Sequence, residues 1–244
     1  MDYKNKYRII KIIGKGEFTE VYKVENKNTK ELRALKIIKL EYIKLVREKG
    51  NSLESVNENL SDIIYDIKNE INNMNICGKN NINSIKYYES FQNENEFVIV
   101  LELCDYSLRD LINQKNKIFY SDEIHEILNH LNNTIKIMKK NKIIHRNLKP
   151  ENILIKKENN QNIIKLCDYG INKIRKYTEI RFNKRINEYM PPEIMKGEKY
   201  NNKYDLWSIG IIIYELYFKE KPYKGENENE ILEKIGKFGK MLIK

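Results

Sequence analysis

The sequence predicts an α+β chain of two lobes, a small five-stranded antiparallel sheet carrying one helix, followed by a mainly helical half. Three observations carry that expectation. Residues Tyr7 to Ile38 read as strand, Gly-bearing turn, strand, turn, strand. Apolar side chains recur at helical spacing at Ile64, Ile67, Ile71 and Met74, and again at Ile124, Ile127, Leu128, Leu131, Ile135 and Met138. From Leu206 to Phe218 nearly every residue is apolar, as in a helix buried within a helical half rather than lying on it.

The elements follow in order. Arg8 to Ile13, Glu20 to Val24 and Leu32 to Ile38 form an antiparallel meander. The polar stretch Lys39 to Leu60 reads as an insertion. Ser61 is the expected N-cap of the first long helix and Gly78 its terminator. Ile85 to Phe91 and Phe97 to Leu103 supply the last two strands. Character changes after Asp105, which sets boundaries inside a single domain of residues 1–244: an N-lobe 1–103, a hinge 102–106 and a C-lobe 107–244. There Ser121 can cap the long helix, Ile153 to Ile155 and Ile163 to Leu166 form a hairpin, and one more helix lies near Glu228 to Ile235.

At 244 residues and 41% hydrophobic content the chain can bury a sizeable core. Its 45 Lys and Arg against 35 Asp and Glu leave a formal charge of +10, a balance that suits nucleic acid or an anionic membrane. The excess is spread through every segment without a basic block or interleaved aromatics, so neither partner is expected. Cys77, Cys104 and Cys167 lack any Cys-x-x-Cys spacing, which argues against a disulfide framework or a zinc site and fits a reducing compartment. No signal-peptide pattern opens the chain, and the longest apolar run, Ile209 to Phe218, is interrupted by Glu215 and too short to span a bilayer. A cytoplasmic location is expected.

Gly14-Lys15-Gly16-Glu17-Phe18-Thr19 sits between two strands, where glycines let backbone amides approach phosphate oxygens. Alone, a Gly-x-Gly turn is a weak signal, and Thr19 stands where a third glycine completes the fingerprint. Four further motifs follow in register: Ala34-Leu35-Lys36 on a strand, Glu70 on the first helix, the run His145-Arg146-Asn147-Leu148-Lys149-Pro150-Glu151-Asn152, and Asp168-Tyr169-Gly170. Singly, Lys36 and Glu70 are ordinary surface charges and Asp168 an ordinary turn residue. Their joint order is what points to chemistry.

With these five motifs the chain resembles eukaryotic-type protein kinases of the serine/threonine kind from Tyr7 to about Ile235. The resemblance implies Mg·ATP as ligand, with Lys36 gripping the α/β-phosphates and pairing with Glu70, and with Asp168 and Asn152 each holding Mg²⁺. Gly14, Gly16 and their loop amides would cover the phosphates. Val21, Ala34 and Leu154 would sandwich the adenine, and the backbone from Glu102 to Cys104 would bond its edge. A protein would be the substrate or partner. By the same resemblance His145 is a packed structural residue and Cys167 a small filler beneath the nucleotide.

Three departures bear on activity. The family's residue at position 147 is an Asp that orients the substrate hydroxyl and takes its proton, whereas Asn147 accepts a hydrogen bond but no proton near pH 7. General-base catalysis is worth about 10²–10⁴-fold, or roughly 3–5 kcal/mol of barrier. Phosphoryl transfer draws mostly on positioning and charge neutralisation, so a weakened transfer remains compatible with Asn147. Lys149 matches the serine/threonine-type loop, where it would neutralise the transferring phosphoryl group. The second departure is Arg185-Ile186 in place of a Gly-Thr pair, and the third is the expected absence of the family's last helices, which would leave C-lobe faces uncovered. Tyr177 and Thr178, in a basic loop, are candidate phosphorylation sites that would pair with Arg146. Three functions stay open: a pseudokinase-like Mg·ATP-binding domain with weak or absent phosphotransfer, an active kinase tolerating Asn147, and a non-catalytic binding or scaffold module. A truncated gene product without function is the bland alternative.

Overall fold

Strand β3 (Leu32–Lys39) shows how the first lobe is organised. Alternate residues of a strand face opposite sides of its sheet, and here Leu35 and Ile37 face one apolar cluster while Ala34 and Ile38 face another. The computed structural model describes residues 2–16, 18–40, 60–115, 118–169, 188–195, 203–225 and 228–242. Most of the expected insertion, the 171–187 stretch with Tyr177, Thr178, Arg185 and Ile186, and Gly170 lie outside these residues.

β1 (Tyr7–Lys15), β2 (Thr19–Asn26), β3, β4 (Tyr87–Gln92) and β5 (Glu96–Glu102) form one five-stranded sheet in the order β1-β2-β3-β5-β4, with every neighbouring pair antiparallel. The short helix α1 (Tyr3–Lys6), which sequence patterning does not foresee, lays Tyr3 over the outer face of the sheet beside Tyr7, Val98 and Val100. Tyr7 donates its hydroxyl to Glu89 at 2.5 Å, and Lys6 pairs with the same carboxylate at 2.7 Å.

The inner face is covered by α2 (Leu60–Gly78). Its buried side is Ile63, Ile67, Glu70, Met74 and Cys77, with Ile64 and Ile71 at the flank, so the buried stripe is rotated from the one that periodicity predicts. The stripe follows the i, i+4, i+7, i+11 spacing of one helix face, and Glu70 lies in its middle. A carboxylate in that place is obliged to find a partner. α2 already includes Leu60, so Ser61 is inside the helix rather than its N-cap.

In the second lobe β6 (Tyr106–Ser107), β7 (Ile153–Glu158) and β8 (Gln161–Leu166) make a three-stranded sheet in which the expected hairpin is β7–β8. Ser107 caps α3 (Leu108–Gln114) through a reciprocal pairing with Asp110. α4 (Ser121–Lys140) buries Ile124, Ile127, Leu131, Thr134 and Met138 on one face. Its cap position falls on Tyr120, whose backbone N–H donates to Glu123 Oε2 at 2.8 Å, so Ser121 is the first helical residue and not the cap. After α5 (Pro192–Met195) come α6 (Tyr204–Phe218) and α7 (Glu228–Leu242). α6 is sunk on the side of Tyr204, Ser208, Ile211, Ile212 and Glu215, yet Leu206 and Phe218 are each 60% exposed. The all-round burial that its composition predicts therefore does not hold, because the described elements pack against one side of it. Among the described residues no helix is long and apolar enough to cross a membrane.

One apolar cluster runs from Ile38, Ile67 and Phe97 of the first lobe to Leu131, Ile153, Tyr169 and Leu216 of the second. A polar knot ties the second lobe together beneath it. Arg109 of α3 donates to Glu215 of α6 at 2.6 Å, to Glu151 at 2.9 Å and to the Tyr189 hydroxyl at 2.5 Å, while Tyr189 donates to the other Glu215 oxygen. Burial opposes the charge of Arg109, but its bonds to Glu215 and Glu151 outweigh that and raise its pKa. Replacing Arg109 by Met leaves the buried Glu215 carboxylate without a cationic partner, with only the Tyr189 hydroxyl donating to it, and urea denaturation is expected to show a loss of about 3 kcal/mol. The double replacement with Glu215→Leu should recover a large part of it.

Candidate functional site

The site lies in the seam between the lobes, and β3 delivers its first member. Lys36 alternates with Ala34 and Ile38 on the inner face and is 6% exposed. Its Nζ is 2.5 Å from Asp168 Oδ1 and 3.8 Å from Glu70 Oε1. Burial works against the ammonium, yet Asp168 and Glu70 together hold its pKa above the usual lysine value. Burial pushes the Glu70 carboxyl up to about 8, against the pull of Lys36 and with the help of Asp168, and its Oε2 has no hydrogen-bond partner. Lys36 is therefore the closer partner of Asp168, and Glu70 the looser one.

The run 145–152 is folded by groups outside the motif itself. Asp205 of α6 accepts from the backbone N–H of His145 at 2.8 Å and of Arg146 at 3.0 Å, which supports the left-handed backbone of Arg146 at φ 66°. His145 is wholly buried, and burial lowers its pKa. As a neutral ring it donates from Nε2 to the Cys167 carbonyl at 2.9 Å and accepts the Asn147 N–H at Nδ1 at 3.3 Å. Asn147 is 3% exposed and its Oδ1 lacks a partner. Asn152 donates its Nδ2 to the Asn147 carbonyl at 2.7 Å, and its own carbonyl accepts the Cys167 N–H at 3.0 Å. Asn147, Asn152 and Asp168 are thus brought to one place through Cys167, which is buried as a small filler. Lys149 lies in the same loop, half-buried.

At the β1–β2 turn the two glycines differ. A Cβ on Gly16 would lie 2.6 Å from Thr19 Oγ1, and its N–H donates to the Thr19 carbonyl at 2.7 Å. A Cβ on Gly14 would meet Val21 at an ordinary 3.5 Å. Val21, Ala34, Cys104 and Leu154 belong to the single apolar cluster shared by the two lobes. Burial raises the Cys104 thiol to about 12, so it is inert at neutral pH.

Glu102 shows a feature that motif reading misses. Its carboxylate receives Lys156 at 2.6 Å and Lys165 at 3.0 Å, and Lys165, itself 6% exposed, also donates to the Ile82 carbonyl. Burial alone would raise the carboxyl, but the bonds from both lysines hold it below the usual range. The end of β5 is thereby fastened to the β7–β8 hairpin through the side chain of Glu102. Motif order likewise assigns no role to Asp205, Arg109 or Ser84, because their partners are distant in sequence.

The model of the Protein kinase domain family matches residues 7–243. The chain belongs to the protein kinase family. This kinase domain is 32% identical over 242 residues to calcium-dependent protein kinase 4 of Plasmodium berghei, covering 96% of this chain and 41% of the relative. It is 30% identical over 219 residues to the serine/threonine-protein kinase TIO of Arabidopsis thaliana, covering 89% and 15%, and 30% identical over 238 residues to cyclin-dependent kinase G1 of the same plant, covering 95% and 36%. The chain spans about two fifths or less of the length of these relatives. Its fold, an antiparallel sheet lobe and a helical lobe, is that of a protein kinase domain.

The family uses ATP and Mg²⁺, and the residues present fit both. Among the described residues Asn147 Oδ1 and Glu70 Oε2 are buried without a hydrogen-bond partner, and a Cβ at Gly16 would force the Thr19 hydroxyl to move. Among the described residues no group of three or more His, Cys, Asp or Glu gathers to hold a metal.

The raised carboxyl of Glu70 has a consequence for stability. A carboxyl whose pKa is higher folded than unfolded adds stability that is full below about 4.5 and is lost as the pH rises through about 8. His145 acts in the opposite sense, but below its ordinary value of 6.5. Thermal unfolding without nucleotide should therefore show the wild type losing stability between pH 7 and 8.5, and Glu70→Gln, which cannot ionise, should flatten that loss.

Proposed function

We propose that this kinase domain binds Mg·ATP in the seam between its lobes and transfers phosphate to protein serine or threonine weakly or not at all. The observation that carries the reading is Asn147, a neutral side chain held 3% exposed by the loop, with an acceptor oxygen that no protein group satisfies. Mg·ATP supplies the transferable phosphoryl group and the charge that neutralises it. Lys36, held between Asp168 and Glu70, would bind the nucleotide's phosphates, and Asp168 and Asn152 would hold the metal. Gly14 and Gly16 would let the turn amides close over the phosphates. Val21, Ala34 and Leu154 would enclose the base, whose edge would meet the backbone from Glu102 to Cys104. Lys149 would balance charge on the transferring group. Asn147 would orient the incoming hydroxyl through Oδ1 without removing its proton, since an amide does not take up a proton near pH 7. The proposed domain is a single unit with its hinge at 102–106, where the Glu102 cluster fastens the lobes, and its proposed location is cytoplasmic.

Phosphate incorporation into a generic basic protein separates this reading from its rivals. Asn147→Asp should raise incorporation by at least about a hundredfold, the lower end of what general-base catalysis supplies, and Lys36→Ala should abolish the signal. A wild type that already works at full rate, unimproved by Asp at 147, would favour an active kinase. Silence of the wild type and of Asn147→Asp would favour a binding module.

A further inference from the structure

Asp168 occupies the left-handed backbone region at φ 65°, which costs a residue with a Cβ free energy, though less for Asp than for most side chains. The contacts around it can be named. Residues Asn83 to Ile85, in the segment between α2 and β4, grip the chain on both sides of Asp168. On the near side the Leu166 N–H donates to the Asn83 carbonyl at 2.9 Å, and the Ile85 N–H donates to the Leu166 carbonyl at 2.9 Å. On the far side Tyr169 is wholly buried, and its hydroxyl lies 2.6 Å from Ser84 Oγ, which is 2% exposed.

The gripping segment is itself fixed. Thr134 of α4 donates to the Asn83 carbonyl at 2.9 Å, Asn133 donates to Asn83 Oδ1 at 2.9 Å, and Asn83 donates to the Ile164 carbonyl at 3.0 Å. The Tyr169 ring packs on His145 with centroids 5.2 Å apart. A phenylalanine at 169 fills the same ring space, so the hydroxyl is an addition to the packing. Its task is a directional bond between two buried groups, each costly to leave unpaired.

We propose that the Ser84–Tyr169 hydrogen bond is a positioning contact that holds Asp168 turned toward Lys36 and sets the metal-dependent part of nucleotide binding. The contact acts through Asp168 and touches no ligand itself. The inference rests on Asp168 being a metal-holding residue, as proposed above. Losing the bond frees the residue after Asp168 while the ring stays packed, so Asp168 samples other directions and the oxygen meant for the cation is in place for a smaller fraction of the time.

The test uses the full chain with Tyr169→Phe, Ser84→Ala and the double variant. Amide exchange of residues 166–169 without nucleotide should quicken by about fivefold or more in each single variant, the scale set by one buried hydrogen bond, and no further in the double variant. Exchange unchanged in both single variants would overturn the proposal. Calorimetry with ATP should show affinity falling about fivefold in the presence of Mg²⁺ and less than about twofold with the divalent ion chelated. An equal fall in both conditions would mean general loosening of the pocket and would overturn it as well. If the wild type binds no ATP, the nucleotide reading fails on its own, and the exchange experiment still decides whether the contact holds Asp168.

Discussion

Lys36 carries a positive charge into the seam between the lobes, and the burial of that charge constrains everything built around it. Strand alternation points the side chain inward, so α2 must present a carboxylate in the middle of its apolar face, and the turn after β8 must bring a second one. Glu70 and Asp168 meet that demand from opposite lobes. A buried ion pair adds little net stability, whereas removing one partner is costly. The cluster therefore specifies an arrangement more than it strengthens the fold.

The loop from His145 to Asn152 is held to a similar standard by neutral groups and one carboxylate. His145 is an uncharged bridge between Cys167 and Asn147, Asn152 binds the backbone of Asn147, and Asp205 supplies the negative charge that two backbone amides require. A carboxylate at 147 would add a proton acceptor within this frame, whereas the amide keeps the hydrogen-bonding geometry and gives up the proton chemistry. Binding and turnover are thus separable here, because the groups that would hold phosphate and metal are distinct from the one that would take a proton.

Sequence reading recovers the parts set by local pattern. The five strands, the two long helices, Lys36, Glu70, Asn147, Asn152 and Asp168 are legible because alternation, helical spacing and motif order are one-dimensional signals. The exact buried face of α2 is not, because Ile64 and Ile71 satisfy helical spacing nearly as well as Ile63, and only packing against β3 and β5 chooses between them. Ser61 and Ser121 are good cap residues that nevertheless lie inside their helices, since Leu60 is already helical before the first and Tyr120 takes the cap position of the second. Asp205 opens the motif-like run Asp205-Leu206-Trp207-Ser208-Ile209-Gly210 and Ser84 stands in no motif, but in neither case does the local pattern reveal the partner. Their meaning comes from a backbone amide 60 residues away and a tyrosine hydroxyl 85 residues away. Leu206 and Phe218 show the converse limit: an apolar run states that burial is favourable, but what covers each side is decided by tertiary arrangement.

The central claim is that the buried ammonium and its two carboxylates form a working clamp for a metal-bound triphosphate. Calorimetric titration of the wild-type chain with ATP in millimolar Mg²⁺ tests it most directly. Saturable heat with a dissociation constant at or below about 1 mM, corresponding to roughly −4 kcal/mol, is the predicted result. No uptake of ATP across the millimolar range would contradict the account.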